Sequence, residues 1–133
     1  MRLTFLKISI DNYPILKETA KREGILFGKK TDMWLVSLND VTIGCMGILL
    51  MKNKAVLKCD FIYPQYRGNR HLDDMIKYRL NLLRNYPFIQ SVTANCTPLA
   101  VKAHIRNGAS LTQKFKNGIT KVTYENIFKG DRS

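Results

Sequence analysis

The chain has 133 residues, 45% of them hydrophobic and 24% charged, and sets 22 Lys and Arg against 10 Asp and Glu for a formal charge of +12. That length suits one core rather than two, so residues 1–133 read as a single domain of globular composition. The longest apolar run, Ile43 to Met51, is far too short to cross a bilayer, and a soluble protein with no membrane partner is expected.

Arg2 to Ser9 alternates Leu3, Phe5 and Lys7 against Thr4, Leu6 and Ile8, and predicts a first strand. Asn12 to Arg22 predicts a helix, with Asp11 or Asn12 as its cap, Pro14 in the first turn and Gly24 ending it. Lys29 to Asp32 is polar and predicts a loop. Next, Trp34 to Leu38 and Val41 to Met51 flank Asn39-Asp40, a pair that tolerates the positive φ of a tight hairpin turn. Lys52-Asn53-Lys54 predicts a further turn, leading into a third antiparallel strand from Ala55 to Tyr63.

After the segment Pro64 to Leu72, the residues Leu72, Met75, Ile76, Leu80 and Leu83 fall on one helical face, while Asp74, Lys77 and Arg84 lie largely off it. Pro87 terminates this helix. Ile89 to Ala94 predicts a strand, and Pro98 to Asn107 a helix closed by Gly108. Ser110 to Phe115 and Thr120 to Ile127 then surround the turn Lys116-Asn117-Gly118.

Cys45, Cys59 and Cys96 sit inside apolar segments, an odd number without a disulfide framework or zinc-ligand spacing. They read as reduced core residues of a cytoplasmic protein, and no metal site is expected. Arg2, Lys7 and Asp11 interrupt the apolar residues at the N-terminus, so no signal peptide is expected. The positive charge favours polyanions: nucleic acid, anionic lipid surfaces or phosphorylated cofactors.

The segment that carries chemistry is Pro64-Gln65-Tyr66-Arg67-Gly68-Asn69-Arg70-His71-Leu72, which joins a strand to a helix. Backbone N–H groups point out of such a loop and the helix dipole adds partial positive charge, a device for holding phosphate. Pro64, Tyr66, Arg67 and Gly68, with the order of elements, resemble the GNAT superfamily of acyl-CoA-dependent N-acyltransferases, whose fourth strand runs into a Gln/Arg-x-x-Gly-x-Gly/Ala loop. A second pattern of that family, Asn-x-x-Ala-x-x-x-Tyr followed by Gly-Phe, is matched in spacing by Thr97, Ala100, His104, Gly108 and Ala109. Departures are Arg70 for the central glycine, Leu72 for the last Gly/Ala, and Thr97, His104 and Ala109 for Asn, Tyr and Phe.

The resemblance implies an α/β fold, a mixed central sheet of about seven strands flanked by three helices, and an N-acetyltransferase that uses acetyl-CoA as co-substrate. It places the cofactor pyrophosphate on Arg67, Gly68, Asn69, Arg70, His71 and Leu72. Arg70 and Leu72 restrict the backbone's approach to the phosphates and favour a wider loop, while Arg70 offers charge-assisted bonds in return. Backbone N–H groups near Phe61 and Ile62 would pair with the pantetheine arm and stabilise the oxyanion, which requires a bulge or splay there. His104 would protonate the departing thiolate, and Asp60 would take the proton of the incoming amine. Trp34 is either core or a wall of the acceptor pocket.

Charge also constrains the acceptor. Sites for small cationic amines usually carry acidic residues, which are scarce here. The expected acceptor is therefore a primary amine on or near nucleic acid or another anionic macromolecule, with Lys102, Arg106, Lys114, Lys116, Lys121 and Lys129 flanking its groove. The alternative is a catalytically inactive GNAT-like module that binds nucleic acid or a protein partner. A homodimer formed through the C-terminal hairpin is a further expectation.

Overall fold

A computed structural model describes residues 2–125 of the chain. Its elements are β1 (Leu3–Ile8), α1 (Pro14–Arg22), β2 (Thr31–Leu38), β3 (Val41–Met51), β4 (Lys54–Ile62), α2 (His71–Leu83), β5 (Ser91–Cys96), α3 (Pro98–Arg106), β6 (Ser110–Lys114) and β7 (Thr120–Glu125). The strands form one seven-stranded sheet in the order β1-β2-β3-β4-β5-β7-β6. β4 and β5 run parallel, from Lys54 opposite Ser91 to Leu57 opposite Ala94, while the β1–β2, β2–β3, β5–β7 and β6–β7 pairs are antiparallel. The sheet is therefore mixed, and with three α-helices the element order expected from the sequence is observed. Residues 126 and 127 of the expected last strand, and Lys129, lie outside the described residues.

The chain groups into two compact units, residues 2–49 with 58–71, and residues 50–57 with 72–125. In the first, Asn39 and Asp40 take φ of 51° and 68°, the left-handed pair that a two-residue hairpin turn requires. α1 begins two residues later than expected. A 3₁₀ turn over Ile10–Asn12 precedes it, and Tyr13 occupies the cap position without a side-chain bond. The reason is Pro14, which disfavours helical φ and ψ in the residue before it and holds Tyr13 at −127° and 65°. Asp11 instead accepts a 2.6 Å bond from Lys17. At the other end Gly24 has φ +94°, with Gly24 N–H bonded to Lys21 O and Ile25 N–H to Ala20 O, a Schellman closure. Leu16 and Ala20 from this helix join Ile10, Met33, Leu35, Cys45, Cys59 and Phe61 in one buried cluster. Trp34 is also buried, on β2, with Lys7 Nζ 5.9 Å from its ring centre.

In the second unit Met75, Ile76, Leu80 and Leu83 are buried along α2, while Asp74, Lys77 and Arg84 are exposed, as the helical periodicity requires. β5 starts two residues later than expected: Ile89 N–H closes a turn onto Tyr86 O, and Gln90 N–H bonds Asn53 O, just before β4. α3 packs on β5 and β7 and ends in a second Schellman closure, Gly108 N–H to Ile105 O and Ala109 N–H to His104 O. The edge strand β6 skips Thr112 in its register with β7, a bulge that interrupts an otherwise open edge. All three cysteines are buried and none is in a disulfide. Among the described residues no helix is long and apolar enough to cross a membrane.

Candidate functional site

In the first unit the candidate residues lie on the C-terminal half of β4 and the loop after it. Cys59 stands at φ +61° in mid-strand. A non-glycine residue there marks a bulge-type distortion, which bends the strand and disrupts its ladder locally. The distortion falls two residues before Phe61 and three before Ile62, not at those residues themselves. It is held on both sides: Cys59 Sγ–H donates to Leu26 O at 3.2 Å, and Cys45 Sγ–H donates to Cys59 O at 3.7 Å. Asp60, the next residue, is half-buried on β4 between buried Cys59 and Phe61.

Beyond β4, Tyr63 N–H bonds Ile43 O at 2.8 Å, and Pro64–Tyr66 makes one 3₁₀ turn. Gly68 follows at φ +88° with open space where a side chain would begin. The Asn69 amide reaches back to Tyr66 O at 3.4 Å. Arg70 has φ +59°. At the backbone this residue adopts the left-handed conformation that a glycine in its place would take, at a cost of about 1–2 kcal/mol. The two arginines of the loop have separate fates. Arg67 donates from Nη2 to Glu23 at 2.7 Å and from Nε to Ile62 O at 2.7 Å, and its guanidinium lies 5.6 Å from the Phe61 ring centre. Its fork is spent on fixing the loop to the C-terminal end of α1. Arg70 is exposed and makes no hydrogen bond or ion pair among the described residues. His71 opens α2 with a buried Nε2 that has no partner, and Leu72 behind it is half-buried.

The second unit holds the other candidate residues. His104 is 2% exposed, and its Nδ1 is 2.7 Å from the Tyr124 hydroxyl on β7. That hydroxyl also donates to His104 O at 3.2 Å. The two contacts agree when Nδ1 carries a proton and Tyr124 accepts it. Asp73, in the first turn of α2, is buried, and its partners include Arg106 Nε and Asn107 Nδ2 at Oδ1, both at 3.1 Å, and Arg106 Nη2 at Oδ2, 2.7 Å away. Arg106 is held protonated above its ordinary range chiefly by the hydrogen bond to Asp73, with desolvation opposing and the Asp73 charge assisting. Arg106, expected among the groove cations, is therefore committed to Asp73, whereas Lys102, Lys114 and Lys116 are exposed. Among the described residues no group of three or more His, Cys, Asp or Glu is placed to hold a metal ion.

Sequence reasoning missed Tyr124, Glu23, Asp73 and Gly44. Asp73 had a signal, since it shares the apolar face of α2 with Ile76, Leu80 and Leu83, and a buried carboxylate needs a partner. Gly44, inside an apolar strand, signalled a close backbone approach.

The sequence matches no protein-family model and no curated protein. The fold is far more informative. It resembles a GNAT family acetyltransferase from Elizabethkingia anophelis with acetyl-CoA bound, at a TM-score of 0.71 and 14% identity over 92% of this chain and 97% of that one. A dodecameric spermidine N-acetyltransferase from Vibrio cholerae superposes at 0.78 with 12% identity, covering 98% of each chain. The ribosomal-protein-S18-alanine N-acetyltransferase from Escherichia coli superposes at 0.75 with 9% identity, over 93% and 94%. The fold is that of the GNAT acetyltransferases.

Proposed function

We propose that the protein is an acetyl-CoA-dependent N-acetyltransferase acting on a primary amine. The observation that carries this reading is the loop geometry on a GNAT fold: Gly68 at φ +88°, Arg70 at φ +59° with its guanidinium unengaged, and an unpartnered buried Nε2 on His71, all leading into the N-terminus of α2. These features fit a diphosphate. Helix N–H groups and Arg70 would take its oxygens, and His71 would donate from Nε2. Arg67 acts one step back, holding the loop to Glu23.

Acetyl-CoA supplies a thioester carbonyl and a thiolate leaving group. Around it, the N–H groups near Phe61 and Ile62, after the distortion at Cys59, are proposed to stabilise the carbonyl oxygen as the amine adds. Asp60 is proposed to accept the amine's proton, directly or through water. His104, protonated on both ring nitrogens, is proposed to give its Nε2 proton to the thiolate, with Tyr124 fixing the ring through the 2.7 Å bond from Nδ1–H.

The acceptor is proposed to be an amine presented by an anionic macromolecule rather than a free polyamine. Support comes from the charge of +12 and from the exposed Lys102, Lys114 and Lys116. The test is thiol release from acetyl-CoA with spermidine, an aminoglycoside, free N-terminal peptides, and the same peptides bound to RNA. Turnover with an anion-associated amine and none with spermidine is the expected result. Preference for spermidine would overturn the acceptor assignment, and no release with any amine would overturn the enzymatic one.

A further inference from the structure

We propose that Arg106 is a positioning residue for the anionic end of the cofactor, acting by cancelling the carboxylate of Asp73 in the first turn of α2. The inference rests on the assignment of that helix N-terminus to the cofactor's phosphates. A helix N-terminus offers roughly half a positive charge to an anion. The first turn of α2 nevertheless contains two carboxylates, Asp73 and Asp74. Each stabilises the helix, but each also opposes a phosphate docking ahead of it.

The two are handled differently. Asp74 is exposed, and water and salt screen it. Asp73 is 8% exposed, so solvent does little for it. Arg106 does the work instead, with both of its bonds engaging both carboxylate oxygens at 2.7 and 3.1 Å. The Asn107 amide adds a third bond at 3.1 Å while also donating to Ala103 O at 2.7 Å. Arg106 stands in the last turn of α3, where the carbonyl end of that helix favours a cation. The pair is neutral as a unit. The N-terminus of α2 therefore keeps its positive character despite an acidic first turn, a feature that the loop pattern of the sequence does not encode.

The test is calorimetric titration of the full chain with coenzyme A at low and high salt, for the wild type, Arg106→Ala, Asp73→Asn and the double variant. Arg106→Ala should weaken binding by about tenfold at low salt and by less at high salt, since an uncovered charge repels a diphosphate over several ångströms. Asp73→Asn should bind at least as tightly as the wild type, and the double variant should recover wild-type affinity. Rescue and salt dependence are readouts that mere loss of a structural contact would not give. Unchanged affinity in Arg106→Ala, or a loss that Asp73→Asn does not rescue, would overturn the inference alone. Failure of the wild type to bind coenzyme A would instead overturn the reading beneath it.

Discussion

Gly44 on β3 lies against the backbone of Phe61 on β4 so closely that a Cβ added to it would stand 1.9 Å from the Phe61 carbonyl oxygen. The neighbour is backbone, which cannot rotate away, so any side chain at position 44 must push β3 and β4 apart just where β4 is distorted at Cys59. Gly44→Ala should therefore cost about 3 kcal/mol, lowering Tm by on the order of 10 °C, and should weaken coenzyme A binding in the fraction that remains folded. Differential scanning calorimetry followed by titration checks both. A variant with wild-type Tm would contradict the close packing of these strands.

The two left-handed residues of the loop should respond in opposite ways. Gly68 has open space around it, so Gly68→Val meets no neighbour and costs only backbone strain, about 1–2 kcal/mol, while distorting the phosphate loop. Arg70→Gly removes strain but adds unfolded-state entropy, and should leave stability within about 1 kcal/mol. It also deletes the unengaged cation, and coenzyme A affinity should fall several-fold with a reduced salt dependence. Chemical denaturation paired with titration separates stability from binding in each variant.

Arg67 and Glu23 make a test of position rather than stability. Both side chains are about half exposed, at 46% and 39%, and such pairs are worth about 0–1 kcal/mol. Glu23→Ala should thus leave the urea midpoint almost unchanged while freeing the Arg67 fork from the end of α1. A raised KM for acetyl-CoA with unchanged kcat would show that the contact places the loop. Equal KM values would show that it does not.

His104 and Tyr124 are separable by kinetics. Tyr124→Phe removes the partner of a buried ring nitrogen and should cost about 1–3 kcal/mol in stability. If His104 delivers the proton, kcat of His104→Asn should fall at least 100-fold with KM for acetyl-CoA little changed, and the pH dependence of kcat should lose one limb. A proportional loss of folded protein with full activity per folded molecule would leave His104 as a buried post for β7.

How far the sequence reached depended on the range of the interaction. The hairpin at Asn39-Asp40 and the helix closures at Gly24 and Gly108 were legible because each needs a φ that only a few residue types adopt readily. The buried face of α2 was legible because its period is local. The start of α1 was misplaced by two residues, since Pro14 acts on Tyr13, which the cap-residue rule ignores. The loop between β4 and α2 was legible in its own residues, but its anchoring was not. Glu23 stands 44 positions from Arg67, and Tyr124 stands 20 from His104. No periodicity connects such pairs. The positive φ of Cys59 was hidden for another reason: a small apolar residue in a strand pattern carries no sign of the distortion at its backbone.

The central claim is that the loop from Arg67 to Leu72 holds acetyl-CoA. Calorimetric titration of the wild-type chain with acetyl-CoA, with Gly68→Val beside it, tests this most directly. Saturable binding in the micromolar to sub-millimolar range, as is usual for enzyme substrates, is expected, with a clear loss in the variant at unchanged fold content. No heat of binding from the wild type at roughly millimolar acetyl-CoA, or equal affinity in Gly68→Val, would contradict it.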